Sequence, residues 1–151
     1  MKGLIDDNLL LQRIFDSMSE NIAVIDCTGK IIVTNNSWEN FILENQGEVN
    51  KCSVGANYLD VCKSSYLSFS ENIDDVYDGI VSVIKGKKPF YVLEYPCHSP
   101  SKKRWFMLYA TPISLDGSGE INGSVVSHIN ITDQKLVEEK FKEAAEAYEV
   151  L

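Results

Sequence analysis

Gly123-Ser124-Val125-Val126-Ser127-His128-Ile129-Asn130-Ile131 runs without a break into Thr132-Asp133-Gln134-Lys135-Leu136-Val137-Glu138-Glu139-Lys140-Phe141. The first half is dense in β-branched residues and follows the turn signal Asn122-Gly123, which predicts a strand. From Thr132 the period changes. Val137, Phe141, Ala144, Tyr148 and Leu151 are spaced 4, 3, 4, 3, the a/d seam by which a helix buries a narrow stripe against a partner helix. Thr132 or Asn130 is placed to cap this helix, and Asp133 sets a carboxylate in its first turn, where the helix dipole favours it. A strand wired directly into a helix that wants a partner is a mechanical connection.

Working back from this stretch, Phe90 to Tyr95 and Arg104 to Thr111 read as two further strands, the second closed by Pro112 and followed by a turn over Leu115 to Gly119. Residues 72–85 place Ile73, Val76, Tyr77, Ile80, Val81 and Ile84 on one helical face that ends at Gly86. No period dominates residues 48–70, although Val54 to Cys62 reads as loop followed by a helical turn. Asn36-Ser37 would cap a short helix from Trp38 to about Asn45, closed by Gln46-Gly47. Asn21 to Asp26 and Ile31 to Asn35 flank a Gly-containing turn and predict a hairpin. Leu10, Leu11, Ile14, Phe15 and Met18 make residues 6–20 an amphipathic helix, expected to pack on the domain or on a second copy.

The 151 residues suffice for one domain with helical extensions. A net charge of −8 lacks the basic footprint that nucleic acid or an anionic membrane surface demands. No apolar run approaches the length of a membrane span, so the chain reads as cytoplasmic, or as a cytoplasmic piece of something larger. Four cysteines without a C-x-x-C pair suit reduced thiols.

The predicted order is helix, two strands, short helices, a longer helix, three strands, helix. With the stretches Ile22 to Trp38, Gly55 to Leu59 and Gly123 to Lys135, it resembles the PAS sensory domain, and the resemblance covers about residues 10–135. Asn130-Ile131-Thr132 stands where that family usually carries Asp-Ile-Thr; an Asn can still cap but cannot form an ion pair. The resemblance implies an α+β fold, a five-stranded antiparallel sheet with helices on one face, divided as flanking helix 1–20, PAS domain 21–132 and C-terminal linker helix 133–151. It further implies an input module of a bacterial signalling protein, such as a sensor kinase of a two-component system or a cyclic-dinucleotide enzyme. Its members bind a small molecule or partner between sheet and helices and pass strain to a flanking helix. Many of them dimerise through flanking helices and have no catalysis of their own, and if this chain is the front of a longer protein its effector would begin just past Leu151.

Strand alternation puts Trp105, Met107 and Tyr109 on one face and Val126, His128 and Asn130 on one face of the last strand. By resemblance these faces turn toward the cavity, and with Tyr58 and Tyr95 they form the candidate ligand-binding set. The competing reading is a filled core in which His128 bonds a Tyr hydroxyl or a backbone carbonyl. Haem ligation by His128 is disfavoured, because haem-binding members of the family place their His on the longer internal helix, and residues 72–85 hold none. Flavin photochemistry is disfavoured because the Asn-Cys-Arg motif is absent, Cys62 standing in Val61-Cys62-Lys63. Cys97-His98 is too sparse for a metal site, and the chain shows no nucleophile elbow, phosphate loop or His-Glu-x-x-His. Asn130, Thr132 and Asp133 are the expected transmission residues. The seam from Val137 to Leu151 either pairs two chains or folds back on its own sheet. If no ligand exists, the domain serves to dimerise and set the register of its effector.

Overall fold

The last strand of the chain is the middle of its sheet. In the computed structural model, which describes residues 6–44, 52–63, 73–96 and 101–150, five strands lie in the order β2-β1-β5-β4-β3 and every neighbouring pair is antiparallel. The elements in chain order are α1 (Asp7–Ser17), β1 (Asn21–Asp26), β2 (Ile31–Thr34), α2 (Asn36–Glu44), α3 (Tyr58–Lys63), α4 (Ile73–Ile84), β3 (Tyr91–Pro96), β4 (Trp105–Ile113), β5 (Gly123–Asn130) and α5 (Thr132–Val150). The expected α+β architecture with a five-stranded antiparallel sheet is therefore observed. Gln46-Gly47, Cys97-His98 and Leu151 lie outside the described residues.

Register decides which residues make the core. His128 of β5 sits opposite Asn21 of β1 and Leu108 of β4, and Val126 sits opposite Ala23 and Ala110. Directly opposed residues share a face, so Ala23, Ile25, Leu108, Ala110, Val126 and His128 form one inner surface. Against it pack Trp38 and Ile42 of α2, Tyr58, Leu59 and Cys62 of α3, and Val76, Ile80 and Ile84 of α4. One expectation is overturned here. Trp105, Met107 and Tyr109 are half-buried on the outer face, while Phe106, Leu108 and Ala110 point into the core. Both alternating sets of this strand are largely apolar, so period alone does not choose between them, and a one-residue choice exchanges the whole set. The strand also runs past Pro112, because β3 pairs no further than Ala110 and a missing N–H is tolerated beside an open edge.

Asn35, completely buried, ties three elements together. Its Oδ1 accepts from the Ile22 N–H at 3.0 Å and from the Trp38 N–H at 3.0 Å, and its Nδ2 donates to the carbonyls of Phe15 at 3.2 Å and Glu20 at 2.8 Å. Asn35 is thus the cap of α2, in place of the expected Asn36-Ser37, and Ser37 instead donates to the Met18 carbonyl at 2.7 Å. The flanking helices are otherwise open. No residue of α1 is fully buried; Phe15 is half-buried while Leu11, Ile14 and Met18 are exposed, so most of its apolar stripe is left uncovered by its own domain. On α5, Val137, Phe141, Ala144 and Tyr148 are exposed as well, which overturns the option that this seam folds back on the sheet.

Gly79 interrupts the middle of α4, where glycine costs about 1 kcal/mol of helix propensity. A Cβ there would lie 2.4 Å from ring carbons of Tyr91 on β3, so the helix meets the sheet only because the side chain is missing. Gly79→Ala is expected to lower the unfolding free energy by roughly 1–3 kcal/mol despite the better helix former. Urea denaturation checks this, and a variant as stable as the parent would show that Tyr91 has room to move.

Candidate functional site

The candidate site is built around His128, and local structure explains how each partner reaches it. The hairpin turn between β1 and β2 is closed by Asp26, whose Oδ1 accepts from the N–H groups of Thr28 at 2.9 Å and Lys30 at 3.0 Å, with Gly29 at φ 93°. This turn carries the start of α3. The Gly29 carbonyl accepts from the Tyr58 N–H at 2.8 Å, and Asn57 donates to the Thr28 carbonyl at 3.0 Å while capping the Asp60 N–H at 3.0 Å. Tyr58 is thereby aimed at the sheet. Tyr95 comes from β3 on the same inner face, opposite Phe106, onto whose ring it stacks at 5.9 Å.

The two hydroxyls grip the imidazole from both sides. Tyr58 Oη lies 2.9 Å from Nε2 and Tyr95 Oη lies 2.6 Å from Nδ1. Trp38 packs edge-on to the ring at 5.4 Å between centroids, and Phe41 stacks at 6.0 Å. Trp38 is itself fixed by its Nε1 donating to the Cys52 carbonyl at 2.8 Å. His128 is 4% exposed, and burial pushes its pKa down to about 4, so the ring is neutral. A neutral imidazole has one N–H and one bare nitrogen, hence one tyrosine donates to it and the other accepts from it. Tyr58 also hydrogen-bonds the Cys62 thiol. Cys62, Tyr58, His128 and Tyr95 thus form one chain in which each of these groups has a partner. Burial nevertheless dominates at both ends, raising Tyr58 well above its usual value and Cys62 to about 12, so Cys62 is a thiol rather than a nucleophilic thiolate.

Of the residues expected at a ligand, the structure brings together Tyr58, Tyr95, Val126 and His128. Trp105, Met107 and Tyr109 lie across the sheet from them, Tyr109 stacked on Phe90 at 5.9 Å. Trp38, Phe41 and Phe106 belong to the cluster and were not anticipated. Their signal is visible afterwards in the three-residue spacing of Trp38 and Phe41 on a helix, and in the inner alternation of β4. Below the cluster, β5 leads into α5. Asn130 Oδ1 accepts from the Thr132 N–H at 3.0 Å, Thr132 Oγ1 accepts from the Trp105 N–H at 3.1 Å, and Ile131 N–H donates to the Trp105 carbonyl at 2.9 Å. Thr132 therefore fastens the helix start to β4, while Asp133 stands exposed in the first turn. Among the described residues no group of His, Cys, Asp and Glu is arranged to hold a metal, and no helix is long and apolar enough to cross a membrane.

The buried ring makes stability depend on pH. Unfolded, the imidazole takes up a proton near 6.5, and folded only near 4, so in that interval the unfolded chain binds more protons and stability falls as pH is lowered. The rings packed on it carry no charge at neutral pH. At about 1.4 kcal/mol per pH unit, the loss between pH 7 and pH 4 is on the order of 3 kcal/mol. Urea midpoints of the parent and of His128→Gln across this range check it; an equally steep decline in the variant would assign the acid sensitivity elsewhere.

No family model matches the sequence. An uncharacterized 104.1 kDa protein in the hypE 3' region of Rhodobacter capsulatus is 38% identical over 129 residues, covering 82% of this chain, which spans only 13% of that protein. The PAS domain of Bordetella pertussis BvgS superposes with a TM-score of 0.59 at 15% identity, over 94% of this chain and 99% of that one. A PAS domain from Colwellia psychrerythraea gives 0.58 at 16%, over 85% and 99%. The phage VqmA-DPO complex gives 0.59 at 16%, over 91% of this chain and 59% of that one. At such identities the architecture is what is shared. Two solved PAS domains are matched almost end to end by this sheet and its helices, and this chain has the PAS fold.

Proposed function

We propose that the domain is the sensory input of a signalling protein, binding a small, flat or weakly polar molecule between the sheet and α2–α3, with catalysis left to an effector. The observation that carries this reading is the His128 cluster. Groups from α2, α3, β3 and β5 converge on one neutral imidazole, so a ligand competing for either hydroxyl bears on helices and sheet together. One structural neighbour, phage VqmA, was solved as a complex with DPO, which supports a ligand-binding reading. The change would leave through β5, where Asn130 and Thr132 seat α5, and the exposed seam of Val137, Phe141, Ala144 and Tyr148 would pair two chains. A ligand moves such an equilibrium only by its difference in affinity for the two states.

A second reading is favoured by a specific observation. Both nitrogens of His128 already have partners, and among the described residues no buried side-chain polar atom lacks one. On that reading the core is filled and the domain dimerises to set the register of its effector.

An absorption spectrum of freshly purified protein, with mass spectrometry of what denaturation releases, separates the two. The sensory reading expects a defined small molecule near one per chain, lost in His128→Leu. It also expects that molecule, at a hundredfold excess over Kd, to raise Tm by roughly 5–10 °C. No released molecule and no thermal response would leave the dimerisation module. For the seam, Phe141→Glu is expected to shift the sedimentation profile toward monomer, and an unaltered profile would remove α5 from the dimer.

A further inference from the structure

Glu94 and Tyr95 are adjacent on β3 and face opposite sides of the sheet. Inward, the Tyr95 hydroxyl lies 2.6 Å from His128 Nδ1. Outward, the Glu94 carboxylate forms an ion pair with the ammonium of Lys135, the fourth residue of α5. One short piece of backbone thus holds the core cluster with one side chain and the C-terminal helix with the next. We propose that β3 is a rocker between them: when Tyr95 leaves His128, the strand turns, Glu94 loses Lys135, and the first turns of α5 are released.

Three features suit β3 to this role. It is an edge strand, laddered to β4 alone in the sheet, so turning it disturbs fewer main-chain hydrogen bonds than moving β5 would. Lys135 has a second carboxylate waiting, Glu138 at 3.5 Å on its own helix, so release leaves the ammonium paired and the exchange has two defined states. The route also uses different side chains from the covalent one, in which Asn130 and Thr132 seat the helix start on Trp105 of β4. The device rests on the sensory reading for its stimulus, since a ligand that takes the Tyr95 hydroxyl would throw it. The coupling itself belongs to the ligand-free chain, and by linkage it acts in both directions.

Amide hydrogen exchange across residues 135–141 of the ligand-free protein tests it. Tyr95→Phe removes the hydroxyl alone and is expected to speed exchange in these turns about three- to fivefold, the scale of one surface ion pair. Glu94→Gln should do the same, and the double variant should add little to either. Tyr58→Phe frees the other ring nitrogen without touching β3 and should leave these amides unchanged. In the reverse direction, Glu94→Gln, an exposed change that keeps the fold, should move the His128 ring nitrogen resonances. Unaltered exchange in Tyr95→Phe, fully additive effects, an equal response to Tyr58→Phe, or unmoved His128 resonances would each overturn the rocker. Because no ligand is added, failure to find one leaves this result intact.

Discussion

An imidazole buried at the centre of a sheet is tolerable only while its nitrogens are met, and much of this architecture serves that condition. An unpaired polar group in such a place would cost roughly 1–3 kcal/mol, a large share of a domain's net stability. Tyr58 can meet Nε2 because the Asp26–Lys30 turn grips the start of α3, and Tyr95 can meet Nδ1 because β3 is registered so that Tyr95 opposes Phe106. A turn in the first third of the chain and an edge strand in the second half are therefore joined through one side chain on the central strand. Such fully satisfied polar clusters specify one arrangement of their elements, whereas apolar contacts alone accept several.

How much of this could be read beforehand depended on whether the physics is local. The C-terminal helix was plain, since its period runs for many residues and its charges surround the stripe. The order of strands and helices was equally legible from turn residues and β-branched density. The face of β4 was not, because Trp105, Met107 and Tyr109 are as apolar as Phe106, Leu108 and Ala110, and only pairing with β5 tells them apart. Asn35 was missed as a cap for a related reason. Asn35, Asn36 and Ser37 are all competent caps by type, and the choice was made at a distance, by the Phe15 and Glu20 carbonyls and the Ile22 amide. The filled-core alternative named a Tyr hydroxyl as partner for His128, which is what the ring finds, twice over. Which tyrosines these would be is a matter of topology.

The two flanking helices are held in contrasting ways. The end of α1 is fastened by neutral hydrogen bonds from Asn35 and Ser37 and by Asp16, which accepts from the Asn36 N–H at 3.1 Å. The start of α5 adds to its backbone ties an ion pair at the surface, where screening by salt is strong and partners exchange easily. Both helices turn exposed leucines, isoleucine or aromatics outward beyond these anchors. The domain thus ties down the inner ends of both helices and leaves their apolar stripes exposed beyond these ties.

The central place of β5 also governs how the chain comes to be folded. β1 lies near the beginning of the sequence, yet its inner neighbour is formed by residues 123–130, so Asn21 must wait for His128 across more than a hundred positions. Closing so long a loop costs entropy before any pairing repays it, and topologies of this kind fold slowly for their size. On the ribosome the N-terminal hairpin has no sheet to join until the last strand has emerged. The helix that follows that strand is then synthesised onto a domain that has only just become able to close, so the order of the sequence itself makes assembly of the core and presentation of the C-terminal helix nearly a single event.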